Sequence, residues 1–600
     1  MRQIGAGLRR SGLACLFFGV FTCIVAQHTH VFAELSGLNQ EGVTKAADTA
    51  AGDADSDYPR LDDITATTKI QFQHVSSSDQ KYIVESMSGG VAIIDYDRDG
   101  WPDIFFTGAQ SVEMARAGKP ARSALYHNNH DGTFTDATDK AGVATPCWAQ
   151  GAVVGDYNND GWPDLLVSCL SGVVLYRNNG DGTFTDVTQS AGLGGDKLWA
   201  TGAAFGDYDG DGWVDLFVAH YVDAGVAEHS EFGSLPTCMY LEIQVQCGPR
   251  GLKGSPDSLY HNNKNGTFTE VSATAGVSDA ENRYGLAALW SYFNNDGKLD
   301  LYVANDAGPN FLYRGDGKGK FTDDGFTSGV VYNINGNEQA NMGVAIGDYM
   351  HTGRMSIAVS HFDSEYAALY RNDGGMNFTE VSGVTGVAKA TSGYVQWGDA
   401  FVDFANSGWL DLFIVSGHVY PQVDSVPNAV RYREPMVLLK NNRNGTFKDI
   451  SKDVGEAIEV PRVSRGLAIG DLFNDGNLEA VVENLVGQPV ILRPEGGPRN
   501  HWISFQLEGA ECNRLALNAR IRTTAGDLVQ LQEVLSGGSY LSQNDLRLHF
   551  GLGGHESVDK AEVLWPDGKV EILSKLAADR FYIIREGAGV ISSSAPGTHQ

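Results

Sequence analysis

A nine-residue motif rich in carboxylates recurs in the first half of the chain. Its copies read DYDRDGWPD at 95–103, DYNNDGWPD at 156–164 and DYDGDGWVD at 207–215. Side-chain oxygens stand at positions one, three, five and nine, and the glycine at position six permits a sharp turn. Ca²⁺ binds six to eight oxygens, and alternate residues of a tight loop can direct their oxygens at one centre. The motif therefore predicts three calcium-binding loops.

Position seven is expected to contribute its backbone carbonyl, as it does in an EF-hand. The predicted ligands are Asp95, Asp97, Asp99, Trp101 and Asp103 in the first loop, Asp156, Asn158, Asp160, Trp162 and Asp164 in the second, and Asp207, Asp209, Asp211, Trp213 and Asp215 in the third. An EF-hand ends at a glutamate in position twelve, but that position here holds Phe106, Val167 and Val218, so the ninth-position aspartate must close each loop. Asp, Asn and Gly also make turns without an ion. Four oxygen-bearing positions in fixed register exceed what a turn requires, and clustered carboxylates repel without a cation.

Four further copies of the motif follow in less complete form. The fourth, YFNNDGKLD, has a tyrosine where the first aspartate stands. Its remaining ligands are Asn294, Asp296 and Asp300. Copies five to seven begin at Asp348, Asp403 and Asp471 and lack the third-position oxygen. We expect three calcium ions, a weaker fourth site, and hairpins without an ion in the last three copies.

A second motif alternates with the first and has the form LYRNNGDGTFTDVT. Its DG or NG pair between β-rich arms is a strong hairpin signal, because a type I′ turn needs positive φ at both central residues. Each repeat then supplies two hairpins, or about four strands. Units of four strands with a period of roughly 50 to 60 residues are typical of a β-propeller. Seven copies predict seven blades over residues 66–495, with the closing segment expected between residues 66 and 90.

These motifs resemble the FG-GAP repeats, also called VCBS repeats, of integrin α-subunit propellers and of many bacterial secreted proteins. The resemblance implies a binding scaffold with structural calcium. The following segment, 496–588, contains SGGSYLSQ, LHFGLG and WPDG and resembles the ASPIC and UnbV domain, which follows FG-GAP repeats in the cartilage acidic protein family. Its alternating segments predict a small β-sandwich. The predicted fold is therefore all-β: a seven-bladed propeller followed by a small sandwich-like domain.

The N-terminus predicts export. Residues 1–33 carry three arginines before an apolar run, which is typical of a signal peptide, and an uncleaved anchor is the alternative. We interpret residues 34–65 as a flexible linker and 589–600 as a disordered tail. No membrane span is expected in the mature chain, which would be extracellular, periplasmic or at the cell surface. The net charge of −30 disfavours nucleic acid as a partner, since phosphates would be repelled.

An oxidising compartment would permit disulfides. Cys238 and Cys247 bracket a short loop within the long insertion of the third repeat, and we predict that they are bonded. The pairing of Cys147, Cys169 and Cys512 is left open, although the first two could lie on adjacent strands.

The sequence lacks the HExxH, GxSxG, CxxC and Walker phosphate-loop motifs of common enzymes. We therefore predict a non-enzymatic, calcium-binding scaffold for adhesion or for binding an extracellular protein or glycan. The alternative is an extracellular lyase or glycosidase, because the many acids leave open an opposed pair of carboxylates in a cleft. The integrin-recognition tripeptide RGD occurs at 314–316, where sister repeats have a hairpin arm, which favours a structural role.

Overall fold

A computed structural model describes residues 58–76, 82–223, 238–427 and 430–597. The chain divides into two compact units, residues 1–57 and 58–600. The predicted signal peptide and most of the predicted linker belong to the first unit and lie outside the described residues. In the second unit, nine four-stranded sheets and one two-stranded hairpin account for nearly all regular structure of the described residues. No helix of the described residues is long and apolar enough to cross a membrane.

Seven of the four-stranded sheets form a ring of blades. The first strand of the chain, β1 (Arg60–Asp63), belongs to the last blade. The first blade contains β2 (Val91–Ile94), β3 (Asp103–Phe106), β4 (Ala124–Asn128) and β5 (Phe134–Asp136); the second contains β6 (Ala149–Gly155), β7 (Asp164–Cys169), β8 (Gly172–Asn178) and β9 (Phe184–Asp186). The third contains β10 (Ala200–Gly206), β11 (Asp215–His220), β14 (Ser258–Asn262) and β15 (Phe268–Glu270), with the extra hairpin β12 (Cys238–Tyr240) and β13 (Ile243–Val245).

The remaining blades repeat this arrangement. The fourth contains β16 (Gly285–Ser291), β17 (Asp300–Asn305), β18 (Phe311–Gly315) and β19 (Phe321–Asp323); the fifth contains β20 (Val344–Gly347), β21 (Ser356–Val359), β22 (Ala368–Gly374) and β23 (Asn377–Glu380). The sixth contains β24 (Gln396–Val402), β25 (Asp411–Ser416), β26 (Val437–Asn441) and β27 (Phe447–Asp449); the seventh contains β28 (Ser464–Gly470), β29 (Glu479–Asn484), β30 (Val490–Glu495) and β1. Short α-helices occupy Thr65–Thr68, Val112–Arg116, Thr138–Ala141, Ser272–Ala275, Gly325–Ser328, Ser382–Thr385, Val387–Thr391 and Glu456–Glu459, and 3₁₀ turns occupy Ile83–Ser86 and Pro421–Ser425.

The ring is closed by β1, which pairs antiparallel with β30, while the inner strands β2 and β28 lie side by side. The sequence prediction was wrong here, because it placed residues 60–65 in a linker and the closing segment at 66–90. RLDD has a single apolar residue, the fully buried Leu61, so it lacks the alternation that indicates a strand. Ile70 and Phe72 of the expected segment instead pack in the core between the first and last blades.

Inner strands are almost wholly buried, and small residues let neighbouring blades approach. Each of β6 and β10 ends in a glycine directly before its acidic loop. A Cβ at Gly155 would lie 2.5 Å from the ring of Phe205, and one at Gly206 would lie 2.7 Å from Trp290. The glycine therefore makes room for an aromatic side chain of the next blade.

The last two four-stranded sheets form the C-terminal domain. One contains β34 (Leu548–Gly553), β31 (His501–Glu508), β37 (Arg580–Arg585) and β38 (Gly589–Ser594); the other contains β33 (Leu528–Glu533), β32 (Arg520–Ala525), β35 (Ser557–Leu564) and β36 (Val570–Ala577). Residues 589–594 were predicted to be disordered, but they form the edge strand β38 paired with β37. GVISSS has no buried residue, and its two apolar side chains, Val590 and Ile591, are exposed, so main-chain pairing rather than burial of an apolar face defines this strand.

Between β33 and β34, a loop of residues 536–544 inserts into the middle of the ring. We call residues 536–544 the plug. Hydrogen bonds join residues 536–544 to Val91, Val154, Phe205, Val344, Asp399 and Ile469, which lie on the inner strands of six blades. Its tip, Tyr540 and Leu541, is buried in an apolar cluster with Trp199 and Trp397. The C-terminal domain is thereby anchored inside the propeller.

Disulfide bonds link Cys147 to Cys169 and, as predicted, Cys238 to Cys247. Cys512 is unpaired and buried in the C-terminal domain. The second bond closes the β12–β13 hairpin, which docks by a hydrogen bond from the Tyr240 hydroxyl to Asp363.

The buried tip of the plug should stabilise the propeller and the C-terminal domain together. Tyr540 is fully buried and its ring centroid lies 4.7 Å from that of Trp397, so Tyr540→Ala should lower the free energy of unfolding by about 3–5 kcal/mol. Calorimetry should show propeller and C-terminal domain unfolding in one transition in the native protein. Ile572→Ala, at a position that is 61% exposed, is the control and should change little. Independent unfolding of the two domains, with Tyr540→Ala neutral, would contradict the anchoring role of the plug.

Candidate metal centre

Each acidic loop connects the inner strand of a blade to the second strand and is organised by backbone N–H groups. In the first loop, Asp95 accepts hydrogen bonds from the backbone N–H groups of Asp99 and Gly100, both at 3.1 Å, and Asp99 accepts one from Trp101 at 2.9 Å. Asp103, at position nine, accepts from Tyr96 at 3.3 Å. The second and third loops repeat these four bonds at the equivalent positions. Each loop therefore wraps around its own carboxylates, which accept its backbone N–H groups.

The glycine at position six is required by the backbone. Gly100, Gly161 and Gly212 have φ values of 85°, 88° and 88°. These values lie where side chains with a Cβ are strained. The turn directs alternate side chains toward one side, as the sequence predicted.

The predicted carboxylate ligands lie together in the first and third loops. Oxygens of Asp95, Asp97 and Asp99 lie within 4.8 Å of one another, and the equivalent set in the third loop does the same. The third-position residue carries a buried oxygen that has no hydrogen-bond partner in any of the three loops. These atoms are Asp97 Oδ1, Asn158 Oδ1 and Asp209 Oδ1. A buried acceptor without a donor is costly, and a hard cation would satisfy it, so the residues present fit a calcium ion.

The electrostatics of the loops also favour a cation. Burial, with the neighbouring carboxylate of Asp99, raises the pKa of Asp95 to about 7, and burial raises the pKa of Asp103 to about 8. Burial likewise raises the pKa of Asp156 and of Asp215 to about 7. Carboxylates held out of water beside one another resist ionisation, and a bound divalent ion would reverse that preference.

Sequence reasoning missed two histidines that face the loops from the third strand of the blade. The Nδ1 atom of His127 lies 3.2 Å from Asp103 Oδ1, and that of His261 lies 3.1 Å from Asp215 Oδ1. Both occur in the repeated phrase LYHNN, and the second blade has Arg177 at this position. The recurrence of a basic residue there was the available signal.

An asparagine one residue later clamps neighbouring blades together, and sequence reasoning missed it as well. The side-chain amide of Asn178 donates to the carbonyl of Pro163 in its own loop at 3.1 Å and to that of Tyr96 in the preceding loop at 2.7 Å. The same pair of bonds is made by Asn128, Asn262, Asn372 and Asn441. Loop conformation is therefore coupled to packing between blades.

In five of the seven loops, the side chain at position four donates a hydrogen bond to the glycine carbonyl of the next loop. The Asn159 side chain donates to the Gly212 carbonyl at 3.2 Å, and Asn474 of the last loop donates to the Gly100 carbonyl of the first at 2.9 Å. Equivalent bonds are made by Asn295, His351 and Asn406. Position-four residues also contact the C-terminal domain; Arg98, for example, pairs with Glu508 at 3.1 Å. These bonds join most neighbouring acidic loops, but the first loop has Arg98 and the third has Gly210 at position four, and neither makes the bond.

In the incomplete loops, protein groups contact the remaining acids. The Arg493 guanidinium lies 2.5 Å from Asp475 and packs over Phe473, which replaces the third-position ligand of the seventh loop. In the sixth loop the Tyr58 hydroxyl donates to Asp411 at 2.6 Å. These contacts agree with the interpretation that the two loops are hairpins without an ion.

The fourth loop keeps part of the ligand set. The Oδ2 atom of Asp300 is buried without a hydrogen-bond partner, whereas Asn294 and Asp296 each accept a backbone N–H of their own loop. The Arg520 guanidinium of the C-terminal domain packs over Tyr292, which stands in the first position. A weaker fourth site stays a prediction.

The RGD tripeptide is part of a hairpin. Arg314 pairs with Asp324 at 2.6 Å, and Gly315 is buried at the end of β18. Asp316 accepts the backbone N–H groups of Lys318 and Lys320. All three residues therefore have structural contacts.

Replacing the third-position ligand should affect the free energy of unfolding in opposite directions with and without calcium. Asp97→Ala removes a carboxylate whose pKa is raised by burial and by Asp99, so without calcium the free energy of unfolding should stay equal or rise by about 0.5 kcal/mol. With calcium, the variant should bind the ion about tenfold more weakly, a loss of about 1.4 kcal/mol. Thermal melts in calcium and in chelator measure both. Asp348→Ala, in a loop without the other ligands, is the control and should destabilise equally in both buffers; the same behaviour from Asp97→Ala would contradict a calcium-binding role.

Comparisons with known proteins agree with the resemblance seen in the sequence. A family model for the ASPIC and UnbV domain matches residues 509–591, and one for the FG-GAP-like repeat matches residues 95–167, 168–218 and 292–359. Cartilage acidic protein 1 of Xenopus tropicalis is 23% identical over 376 residues, which are 61% of this chain and 51% of that protein. The human protein is 24% identical over 321 residues, 50% of this chain and 43% of that protein. The chain thus spans about half the length of these relatives.

The similarity to solved structures is low. An Agrocybe aegerita lectin, studied for its recognition of non-reducing terminal N-acetylglucosamine, has a TM-score of 0.35 and 16% identity, covering 67% of this chain and 86% of the lectin. YCF48 bound to a D1 peptide has a TM-score of 0.37 and 8% identity, covering 74% of this chain and 99% of YCF48. These scores are too low to carry an argument, so the fold rests on the sheets described above. By its family matches, the chain contains FG-GAP-like repeats followed by an ASPIC and UnbV domain, and it is similar at low identity to cartilage acidic protein 1.

Proposed function

We propose that this protein is a secreted, non-enzymatic binding scaffold whose first three blades are held in shape by calcium. The observation that carries the proposal is the buried, unpartnered oxygen at position three of each intact loop, surrounded by further carboxylates. Asp97, Asn158 and Asp209, with the other predicted ligands of their loops, would hold one ion each. The ion would supply positive charge and oxygen coordination, and so act as a folding ligand.

Two disulfide bonds and the signal-like N-terminus support export into an oxidising compartment. The plug supports a non-enzymatic role, because it fills the middle of the ring, where a propeller has its central channel. The acidic loops lie against the C-terminal domain, which, among the residues that the structure describes, leaves the opposite face and the outer rim as the surfaces available to a partner.

The β12–β13 hairpin is the best candidate contact for an extracellular protein partner. Its disulfide and the bond from Tyr240 to Asp363 hold it in place. Met239 and Leu241 beside that tyrosine are 62% and 49% exposed. Rigid apolar side chains on a strongly acidic protein are suited to a partner surface with an apolar pocket and a basic rim.

Calcium removal tests the proposed scaffold directly. At a free concentration 100 times the dissociation constant, each ion adds about 2.7 kcal/mol, so chelation should lower the melting temperature by several degrees. The transition should return when calcium is restored, and magnesium at the same concentration should restore less of it because it demands a smaller octahedral site. Identical melting curves with and without chelator would contradict the proposal.

Binding can be tested on arrays of glycans and extracellular proteins in calcium and in chelator. Any specific partner should bind in calcium and lose affinity in chelator, since the loops support the blades that present the surface. Met239→Ser with Leu241→Ser should weaken binding to a protein partner, and Val384→Ser, at another exposed apolar position, is the matched control. Binding unaffected by the hairpin variant would exclude the hairpin as the contact.

A further inference from the structure

The first acidic loop is bordered by two histidines. A ring nitrogen of His127, a ring nitrogen of His130 and a carboxylate oxygen of Asp99 lie within 4.8 Å of one another. Two imidazoles and one carboxylate are a ligand set for transition-metal ions, whereas Ca²⁺ takes oxygen ligands. The set therefore differs in chemistry from the oxygen ligands of the calcium loop.

His130 is already placed beside its carboxylate. Its Nε2 atom lies 2.7 Å from Asp99 Oδ2, and its ring stacks on Trp101 with centroids 4.8 Å apart and planes 13° from parallel. Two ligands about 2.0–2.2 Å from a tetrahedral zinc ion lie about 3.4 Å apart, so this hydrogen-bonded pair would separate by less than about 1 Å to admit the ion. Asp99 directs its other oxygen, Oδ1, to the Trp101 N–H, so its two oxygens face different groups.

His127 lies beside two carboxylates of the calcium loop, and its Nδ1 atom is buried and makes no hydrogen bond. Its Nδ1 atom lies 3.2 Å from Asp103 Oδ1 and 3.5 Å from Asp97 Oδ2. Metal-ligating histidines commonly donate one ring N–H to a carboxylate, which fixes the tautomer and leaves the other nitrogen for the ion. An ion on Nε2 of His127 would leave Nδ1 to make this bond with Asp103, which lies 3.2 Å away.

Neither of the other intact loops has this pair of histidines. The second blade has Arg177 and Gly180 at the two positions, and the third has His261 and Lys264. Lys264 pairs with the fifth-position Asp211 at 3.0 Å. The third blade therefore has a lysine ammonium group where the first blade has the imidazole of His130. The second and third blades therefore serve as controls for the histidine pair of the first blade.

We propose that the first blade binds a transition-metal ion of the zinc class through Asp99, His127 and His130, beside the calcium position. The side chains of Asp99, His127 and His130 are 27%, 29% and 43% exposed, so solvent reaches the site. A site with three protein ligands and solvent access keeps an open coordination position, unlike a closed four-ligand structural site. That position takes water or a donor atom from a partner molecule. Asp99 is also a predicted calcium ligand, so with both ions bound each would take one of its carboxylate oxygens.

The test counts zinc ions bound by the full chain in buffer that contains calcium. His130→Gly installs the residue found at Gly180, and the φ of 63° at His130 suits glycine, so the hairpin should fold normally. This variant should bind one zinc ion fewer than the native protein, or bind it at least about tenfold more weakly. Cobalt gives an independent readout, because its visible absorption band for nitrogen ligands should weaken in the variant.

Two substitutions in the third blade complete the design. Lys264→Gly is the control and should leave the zinc count unchanged. Lys264→His reproduces the two-histidine set around Asp211 and His261 and should add one ion; no added ion would contradict the claim that these side chains suffice. An unchanged zinc count and cobalt spectrum in His130→Gly would overturn the proposal and leave His130 as a hydrogen-bond partner of Asp99. The calcium dependence of the melting temperature, measured on the same variants, shows separately whether the calcium proposal fails.

Discussion

The structure depends on carboxylates that are packed together away from water. In each intact loop, the first- and ninth-position aspartates accept the N–H groups that shape the turn, and the third- and fifth-position oxygens lie beside them. Backbone N–H groups offset only part of the repulsion, since a buried oxygen at position three has no donor. A cation of charge +2 is the group that completes such a site at the lowest cost.

Hydrogen bonds carry this constraint between most neighbouring loops. In five blades an asparagine of the third strand binds carbonyls of two successive loops, and in five loops the position-four side chain binds the glycine carbonyl of the next loop. A loop that loses its shape therefore withdraws hydrogen bonds from the neighbours that it contacts in this way, although none of these bonds joins the third loop to the fourth, where Gly210 and Gly315 stand. The plug adds a second connection, because a single loop of the C-terminal domain reaches six inner strands. Arg493 and Tyr58 show how incomplete loops can keep their shape with protein groups.

Local patterns predicted most of the propeller. The aspartate and glycine spacing located the loops, and the DG and NG pairs located the outer hairpins, because both signals are set by backbone geometry within a few residues. The clustering of the predicted ligands was foreseeable for the same reason. His127 and the clamping asparagine were missed, since their role depends on a strand that pairs beside the loop and on the preceding blade.

Long-range features were beyond local patterns. β1 has one apolar residue and β38 has no buried residue, so each is a strand because an unpaired sheet edge is available to it. SGGSYLSQ was recognised as a motif of the second domain, but its insertion into the ring depends on glycines such as Gly90, where a Cβ would lie 2.0 Å from the Leu541 carbonyl oxygen. Such complementarity exists only once both domains have folded.

The most direct test of the calcium account is to locate the ions themselves. Crystals grown in calcium and measured at a long X-ray wavelength would show anomalous scattering from bound calcium. The account predicts one peak inside each of the loops 95–103, 156–164 and 207–215, surrounded by the oxygens of the aspartates and asparagine at positions one, three, five and nine. Well-ordered loops without such peaks, at calcium concentrations far above those of a secreted environment, would contradict it.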